Sequence, residues 1–347
     1  MRIAIIGSRG IPAQYSGVER AVEEISKRLV LRGHDVTVYC RSDKYLKNEY
    51  KGIKLVHVFT WHTKNFGTFI HVFLSTLMVV FQKVDIVHYH ALGPSFFSFF
   101  PRLFGKKIIV TVHCLDWQRK KWGKIARLFL RFCQYPAMYF PHRTIVVSYA
   151  LKDYFEKKFK KSVYYISNGA GAVTDIENPE ILKSEFEKDQ YVLCVGRLVP
   201  EKGLQYLIKA YNDIHTPLTL VLAGASSFTD NYVASLKQMG GAKVKFVGFV
   251  DGLDLALLYT NAYMVVLSSE VEGAPLVLLE AMHYGKCVLS SDLPECREIL
   301  EMCGVYFKSK DYGDLKDKLQ WLLTVPDLVK EYGQKAKERV SQSYDWD

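Results

Sequence analysis

Short unbroken apolar runs alternate along the chain with longer stretches in which apolar residues recur every three or four positions. RIAIIG (2–7), DVTVYC (35–40), DIVHYH (85–90), KIIVTVH (107–113) and RTIVVS (143–148) read as buried parallel strands, which appear in sequence as continuous apolar runs. Between the first two, residues 17–31 place Val18, Val22, Ile25 and Leu29 on one helical face and Glu19, Arg20, Glu23, Lys27 and Arg28 elsewhere, with Gly33 as the stop. The pattern breaks at SVYYISNGAGAV (162–173), and after a charged stretch it restarts at YVLCVGR (191–197). It continues through LTLVLAG (218–224), VKFVGFV (244–250), YMVVLSS (263–269) and CVLSSD (287–292). Two successive α/β units, each opening strand–glycine loop–helix, imply two similar domains facing one another across a cleft. The expected boundaries are 1–165, 166–330 and a C-terminal helix, 331–347, returning toward the first domain. ERVSQSYDWD reads as the start of a further element cut at Asp347.

Composition changes this picture in two ways. Residues 1–165 hold 28 Lys and Arg against 10 Asp and Glu, whereas residues 166–347 hold 18 against 26. A basic first half and an acidic second half point to an anionic partner for the first half alone. The seven cysteines show no metal-ligand spacing and several sit in strand-like runs, so they read as reduced, buried side chains of a cytosolic protein. The chain opens on a strand, so no signal peptide is expected. Residues 68–81 form the longest apolar run, too short for the roughly 20 residues of a spanning helix, so a core or interfacial helix is expected there.

GSRGIPAQYSGVER (7–20) follows the first strand without the G-x-G-x-x-G spacing of a dinucleotide site. Ser16 stands three residues before Glu19, a capping box that starts the helix at Gly17 and points its free amides at the strand ends. A phosphate cradle and a merely long connection both fit this loop. GRLVPEKG (196–203) is more specific. It sets Arg197 and Lys202 on a loop bounded by Gly196 and Gly203, and two fixed cations suit a diphosphate better than a solvated turn. In SSEVEGAPLVLLEAMHYG (268–285), Pro275 reads as the first helical residue and Gly285 as the stop. Glu272 then lies before the helix and Glu280 about one and a half turns in, with the amides of Gly273, Ala274, Pro275 and Leu276 forming an anion site. An acidic pair is usually a solvated face, but this one interrupts an apolar helix.

The motifs GSRGIPAQYSGVE, TVHCLDW, ISNG, GRLVPEKG, EGAPLVLLE and SDLPECRE span nearly the whole chain. Together they resemble the retaining, nucleotide-sugar-dependent group 1 glycosyltransferases, whose GT-B fold sets two Rossmann-like domains with parallel sheets across a central cleft. The opening run also resembles the branch containing many bacterial rhamnosyltransferases of surface polysaccharides. The resemblance implies that Arg197 and Lys202 bind the donor diphosphate, Glu272 the transferred sugar and Glu280 the ribose. It implies that His113 touches the donor sugar near the reaction centre and that Gly17 approaches the phosphates or the acceptor. Cys114 departs from the Gly of that branch and narrows the expected pocket beside His113. Fixed cations and helix amides can stabilise a leaving diphosphate, so no cofactor and no metal are expected. The D-x-D at Asp345–Asp347 carries no weight as a metal site.

His88 and His90 read as hydrogen-bonded histidines rather than a metal pair, with His90 placed to line the acceptor side of the cleft. Between Asp116 and Asp153 there is no acidic residue. Arg119, Lys120, Lys121, Lys124, Arg127 and Arg131 alternate there with Trp117, Trp122, Phe129, Phe132 and Tyr135. That mixture suits a helix at an anionic membrane interface, over nucleic acid or an aromatic face packed on the domain. The expected protein is a cytoplasmic enzyme on the inner face of the cell membrane, moving a sugar from a nucleotide donor to a saccharide or lipid-linked acceptor. A sugar-nucleotide epimerase, an NAD-dependent oxidoreductase and a non-catalytic binding module are the competing readings. The oxidoreductase lacks its glycines and has only Asp43 near the end of its second strand.

Overall fold

The computed structural model describes residues 1–14, 16–42, 47–61, 66–119, 122–171, 186–226 and 229–347. They form two compact units, Met1–Ser167 with Asp347, and Asn168–Trp346. Lys120, Lys121 and Asp43 lie outside the described residues.

The first unit carries eight strands: β1 (Arg2–Ile6), β2 (Asp35–Arg41), β3 (Glu49–Tyr50), β4 (Ile53–Val58), β5 (Ile86–His90), β6 (Lys107–Val112), β7 (Arg143–Val146) and β8 (Tyr164–Tyr165). Their order across the sheet is β3-β4-β2-β1-β5-β6-β7-β8, parallel except for the β3–β4 pair. β3, β4 and β8 were not apparent in the apolar pattern, because two are dipeptides and IKLVHV interleaves polar residues as a strand near the sheet edge does. Ile3 and Ile5 pack with Val36, Val38, Ile53 and Leu55 against Val22 of the helix Gly17–Leu31. That helix closes at Gly33, whose φ of +77° lets its amide turn back to Val30 while the His34 amide reaches Leu29.

The second unit carries β9 (Tyr191–Val195), β10 (Thr219–Ala223), β11 (Val244–Gly248), β12 (Met264–Leu267), β13 (Val288–Ser291) and β14 (Val305–Phe307), in the order β11-β10-β9-β12-β13-β14. All are parallel. The strand period of two divides its interior into two cores. Tyr191, Leu193, Val265 and Leu267 face one layer of helices, and Val192, Cys194, Met264 and Val266 face the other. The helix Pro326–Ser343 belongs to this unit, and Asp347 groups with the first, where Arg28 Nε lies 3.1 Å from its carboxylate. Six of the seven cysteines are buried and all are unpaired.

Each sheet reverses its winding once, between β1 and β5 in the first unit and between β9 and β12 in the second. In open parallel sheets ligands bind outside the carboxyl ends of the strands at this reversal. The loops that follow these four strands are the opening glycine loop, HALGPS, GRLVPEKG and SSEVEGAP.

Candidate active site

In the second unit, β9 runs directly into GRLVPEKG, which ends in the short turn Pro200–Lys202 and then the helix Leu204–Asn212. Gly203 joins turn to helix at φ +64°, and a Cβ there would run into the Ser268 carbonyl oxygen. Only glycine allows the loop to sit this close to the end of β12. The approach is fastened by Ser268 Oγ, which donates to the Lys202 carbonyl over 2.8 Å, and by the Glu270 amide, which donates to the Glu201 carbonyl. Lys202 Nζ consequently meets Glu272 Oε1 at 2.5 Å. Ser269 Oγ donates to the same oxygen over 2.6 Å, and Ser291 Oγ donates to the Ser269 carbonyl. The side chains of Lys202 and Glu272 are only 15% and 12% exposed. Arg197 and Lys202 line a small hollow together with Gly196, Ser268 and Ser269.

The helix after Glu272 runs Leu276–His283. Pro275 caps it rather than opening it, at φ −70° and ψ 109°. Because proline has no N–H, Pro275 adds no donor to the expected anion site, which loses one of its four amides. Glu280 lies within the helix, where Tyr259 donates its hydroxyl to Oε2 over 2.8 Å. Tyr259 is buried and stacked on Tyr284, and burial raises its phenol well above the ordinary value. Asn168, from ISNG, donates through Nδ2 to the Ala274 carbonyl over 3.3 Å. Glu295, from SDLPECRE, has its carboxyl pushed up to about 7, by burial first and then by the charges of Glu272 and Glu298. The second unit therefore brings Gly196, Arg197, Lys202, Glu272 and the Gly273–Leu276 loop to one sheet edge.

In the first unit, Gly17 is the exposed first residue of its helix, capped by Ser16, whose hydroxyl accepts from the Glu19 amide. The carboxylates of this helix turn back on the glycine loop. Glu19 takes the Gln14 amide and the Ser16 hydroxyl, and Glu23 takes the Ala13 amide over 2.6 Å. Gly7 has φ +115°, and a Cβ there would strike the carbonyl oxygen of His90.

Parallel pairing sets His90 beside Thr111, and the strand period puts His88, His90, Thr111 and His113 on one side of β5 and β6. His88 Nε2 lies 2.7 Å from Thr111 Oγ1, and His90 Nδ1 lies 2.9 Å from His113 Nε2. Burial depresses all three imidazoles: His88 to about 3, His113 to about 4, and His90 well below its ordinary value with further help from His88 and His113. These are hydrogen-bonded histidines, as read, but His90 is fully buried and lines no open surface. Among the described residues no group of three or more His, Cys, Asp or Glu could hold a metal ion. Cys114 is buried beside His113, with its sulfur 3.0 Å from Arg119 and 3.3 Å from Asp116 Oδ1. Burial holds its thiol up at about 12, so it is a neutral group.

Three partners escaped the sequence, Ser269 and Ser291 behind Glu272 and Tyr259 behind Glu280, while His90 was singled out but not as the partner of His113. The serines close the runs YMVVLSS and CVLSSD, so polar residues at strand ends were their only signal. Tyr259 had none, since it is twenty-one residues from Glu280 and one aromatic among many.

The basic aromatic stretch forms the helices Lys124–Phe132 and Gln134–Tyr139. Ile125, Leu128, Phe132, Tyr135 and Tyr139 recur at helical spacing and are 48–88% exposed, while Phe132 also lies against Phe96 and Tyr135 and Tyr139 against Phe159, so this face is packed in part and open in part. Arg127 and Arg131 are exposed beside it. The uncharged helix Phe66–Phe81 likewise buries Val72, Val79 and Val80 and exposes Phe69, Phe73, Met78 and Phe81. Phe69 and Phe129 make an edge contact between the two regions at 6.3 Å. Among the described residues no helix is long and apolar enough to cross a membrane.

Two parallel α/β units, with cations and a carboxylate at the sheet reversal of the second, define a GT-B nucleotide-sugar enzyme. The model of the glycosyltransferase family 4 matches residues 15–170, and that of the group 1 glycosyl transferases matches residues 177–339. The chain belongs to these glycosyltransferases. It is 27% identical to an uncharacterized glycosyltransferase of Methanocaldococcus jannaschii, over 100% of this chain and 95% of that one. It is 29% identical, over 61% of this chain and 58% of the other, to a Campylobacter jejuni enzyme. That relative is the alpha-1,4-N-acetyl-D-galactosaminyltransferase acting on GalNAc-alpha-(1->4)-GalNAc-alpha-(1->3)-diNAcBac-PP-undecaprenol. Anabaena HepE, solved with UDP and glucose, shares the fold with a TM-score of 0.81 at 19% identity, covering 100% of this chain and 96% of that one.

Proposed function

We propose that this glycosyltransferase moves a sugar, with retention, from a nucleoside-diphosphate donor held by the second unit to a saccharide or lipid-linked acceptor bound by the first. The reaction belongs to bacterial cell-surface polysaccharide synthesis. The observation that carries this reading is the convergence of Arg197, Lys202 and Glu272 at one sheet edge. A sugar–diphosphate bond breaks as negative charge builds on the leaving oxygens, and two fixed cations stabilise that charge without a metal. Arg197 forks onto two oxygens, and Lys202 supplies a point charge. Glu272 exchanges Lys202 for hydroxyls of the transferred sugar, and Glu280 takes the ribose. The N–H groups of Gly273, Ala274 and Leu276 assist beside the leaving group. The resemblance assigns Gly17 to the phosphates or the acceptor and His113 to the donor sugar, and the sugar expected from the opening run is rhamnose.

The exposed stripe from Ile125 to Tyr139, flanked by Arg127 and Arg131, supports peripheral binding to an anionic membrane, where a lipid-linked acceptor is found. The undecaprenol-linked substrate of the Campylobacter relative agrees with such an acceptor.

A thermal-shift panel of UDP, dTDP, GDP and ADP with their sugars, dTDP-rhamnose included, tests the donor side. A ligand that binds only the native state raises its midpoint. The best binder should then give transfer to an extracted lipid-linked saccharide. Failure of every nucleotide to raise the midpoint would sink the reading, and turnover of the nucleotide sugar without acceptor to an epimer would replace it.

A further inference from the structure

His90 is a fully buried polar residue with no role in the site as described so far. It hydrogen-bonds His113 over 2.9 Å, ring against ring at an interplanar angle of 23°. Each neutral imidazole carries one N–H, and one proton must lie between His90 Nδ1 and His113 Nε2. Two arrangements satisfy that condition. If His113 Nε2 donates, His90 must carry its own proton on Nε2. That atom is sealed from solvent and has no partner among the described residues, so the arrangement buries an unpaired N–H. If His90 Nδ1 donates, the sealed Nε2, which has no partner among the described residues, keeps only a bare lone pair. Orphaned buried N–H groups are the rarer and costlier defect. The second arrangement therefore wins.

We propose that His90 is a positioning residue, donating Nδ1–H to His113 Nε2 and so holding His113 as the tautomer with its proton on Nδ1. His113 is 8% exposed, and its Nδ1 has no partner among the described residues. In this state it is a hydrogen-bond donor, suited to a sugar hydroxyl oxygen or a phosphate oxygen and unable to accept a proton at that atom. The tautomer alone follows from the buried pair. The consequence for catalysis rests on the proposed contact of His113 with the donor sugar. The backbone supports the arrangement, because Gly7 gives the β5 end the room that any side chain would take from the His90 carbonyl.

Imidazole ¹⁵N–¹H correlation spectra of the full chain, labelled at histidine and assigned through His113→Gln, read the tautomer directly. The wild type should show His113 protonated at Nδ1. His90→Asn places an amide N–H near the lost Nδ1–H and should keep that pattern. His90→Leu should shift His113 toward the Nε2–H form preferred by free imidazole. An Nε2–H form of His113 in the wild type overturns the proposal, and so does an unchanged pattern in His90→Leu. Should His90→Leu fail to fold, the wild-type and His90→Asn spectra still decide. In transfer assays kcat should fall by about ten- to a hundredfold in His90→Leu, the scale seen for hydrogen-bond partners behind metal-ligating histidines, and largely recover in His90→Asn. Equal kcat in both variants rejects the positioning role. A normal rate in His113→Gln would remove His113 from the reaction while leaving the tautomer assignment standing.

Discussion

At the strand ends of the first unit the gathered side chains are neutral imidazoles, sealed by burial. At the corresponding ends of the second unit they are a partly buried ion pair, Lys202 with Glu272, beside the raised carboxyl of Glu295. The same winding order produces both edges. The difference lies in what the loops supply: β5 and β6 end in histidines whose nearby carboxylate, Asp116, is paired with Arg119, whereas β9 and β12 end in loops of opposite charge. The distribution inverts at larger scale, since the half with the neutral edge is strongly basic overall and the half with the ion pair is acidic. Net charge therefore says little about where charge is used; in the basic half the cations lie beside exposed apolar residues.

The largest expected effect that separates the two edges is catalytic. Lys202→Ala and Arg197→Ala should each lower kcat/KM by at least about 10²–10³-fold, the scale of losing one donor to a developing oxyanion. Near-normal transfer by either variant would leave the second edge without its distinguishing role.

Next comes Gly7→Ala. The substitution meets both a left-handed φ and the His90 carbonyl, so a loss of about 3 kcal/mol is expected. Urea unfolding of the variant measures it, and a change under about 0.5 kcal/mol would show that the first edge is not held together by this approach.

Acid should drive the two units in opposite directions. The buried imidazoles have folded-state pKa values below the unfolded value, so their neutral forms favour folding above about pH 6.5. That contribution falls by about 1.4 kcal/mol per pH unit for each histidine, down to about 4 for His113 and about 3 for His88. Glu295 has the opposite sign. Its carboxyl is raised to about 7, so its contribution to the second unit grows as pH falls from there toward the ordinary carboxylate range, opposed by His283, whose imidazole is depressed by burial and then by the charge of Lys337. Hydrogen exchange at pH 7.5 and 5.5 resolves the two units. Parallel loss in both would break the comparison, and a flatter slope in His88→Asn would sharpen it.

The smallest effect concerns the exposed stripe. Arg127→Glu with Arg131→Glu should weaken sedimentation with anionic vesicles by about 1 kcal/mol per residue, with folding stability moved by less than about 0.5 kcal/mol. Equal retention on anionic and neutral vesicles would assign those cations elsewhere.

The strands that bury both faces were legible because burial writes itself as an unbroken apolar run, and the helix Gly17–Leu31 because Ser16 and Gly33 mark its ends. The short strands at and near the sheet margins were not, since a dipeptide such as Tyr164–Tyr165 has too few residues for any period. In the site, Arg197, Lys202 and Glu272 were legible as residue types on loops after strands. Their mutual pairing was not, because it depends on a close approach of residues seventy apart that Gly203 permits. His90 was legible as a hydrogen-bonded histidine, but its partner lies twenty-three residues away and only the β5–β6 register reveals it.

The Lys202–Glu272 contact bears on selectivity against small anions. On the proposed role of Lys202, an arriving anion must displace a carboxylate already held at 2.5 Å, and must leave that carboxylate supported. Inorganic phosphate or chloride can replace the carboxylate on Lys202 but offers Glu272 no hydroxyl in return. A diphosphate carrying a sugar offers oxygens to Lys202 and Arg197 together and hydroxyls to Glu272. On that role the pair favours a sugar-bearing diphosphate over anions that carry no sugar.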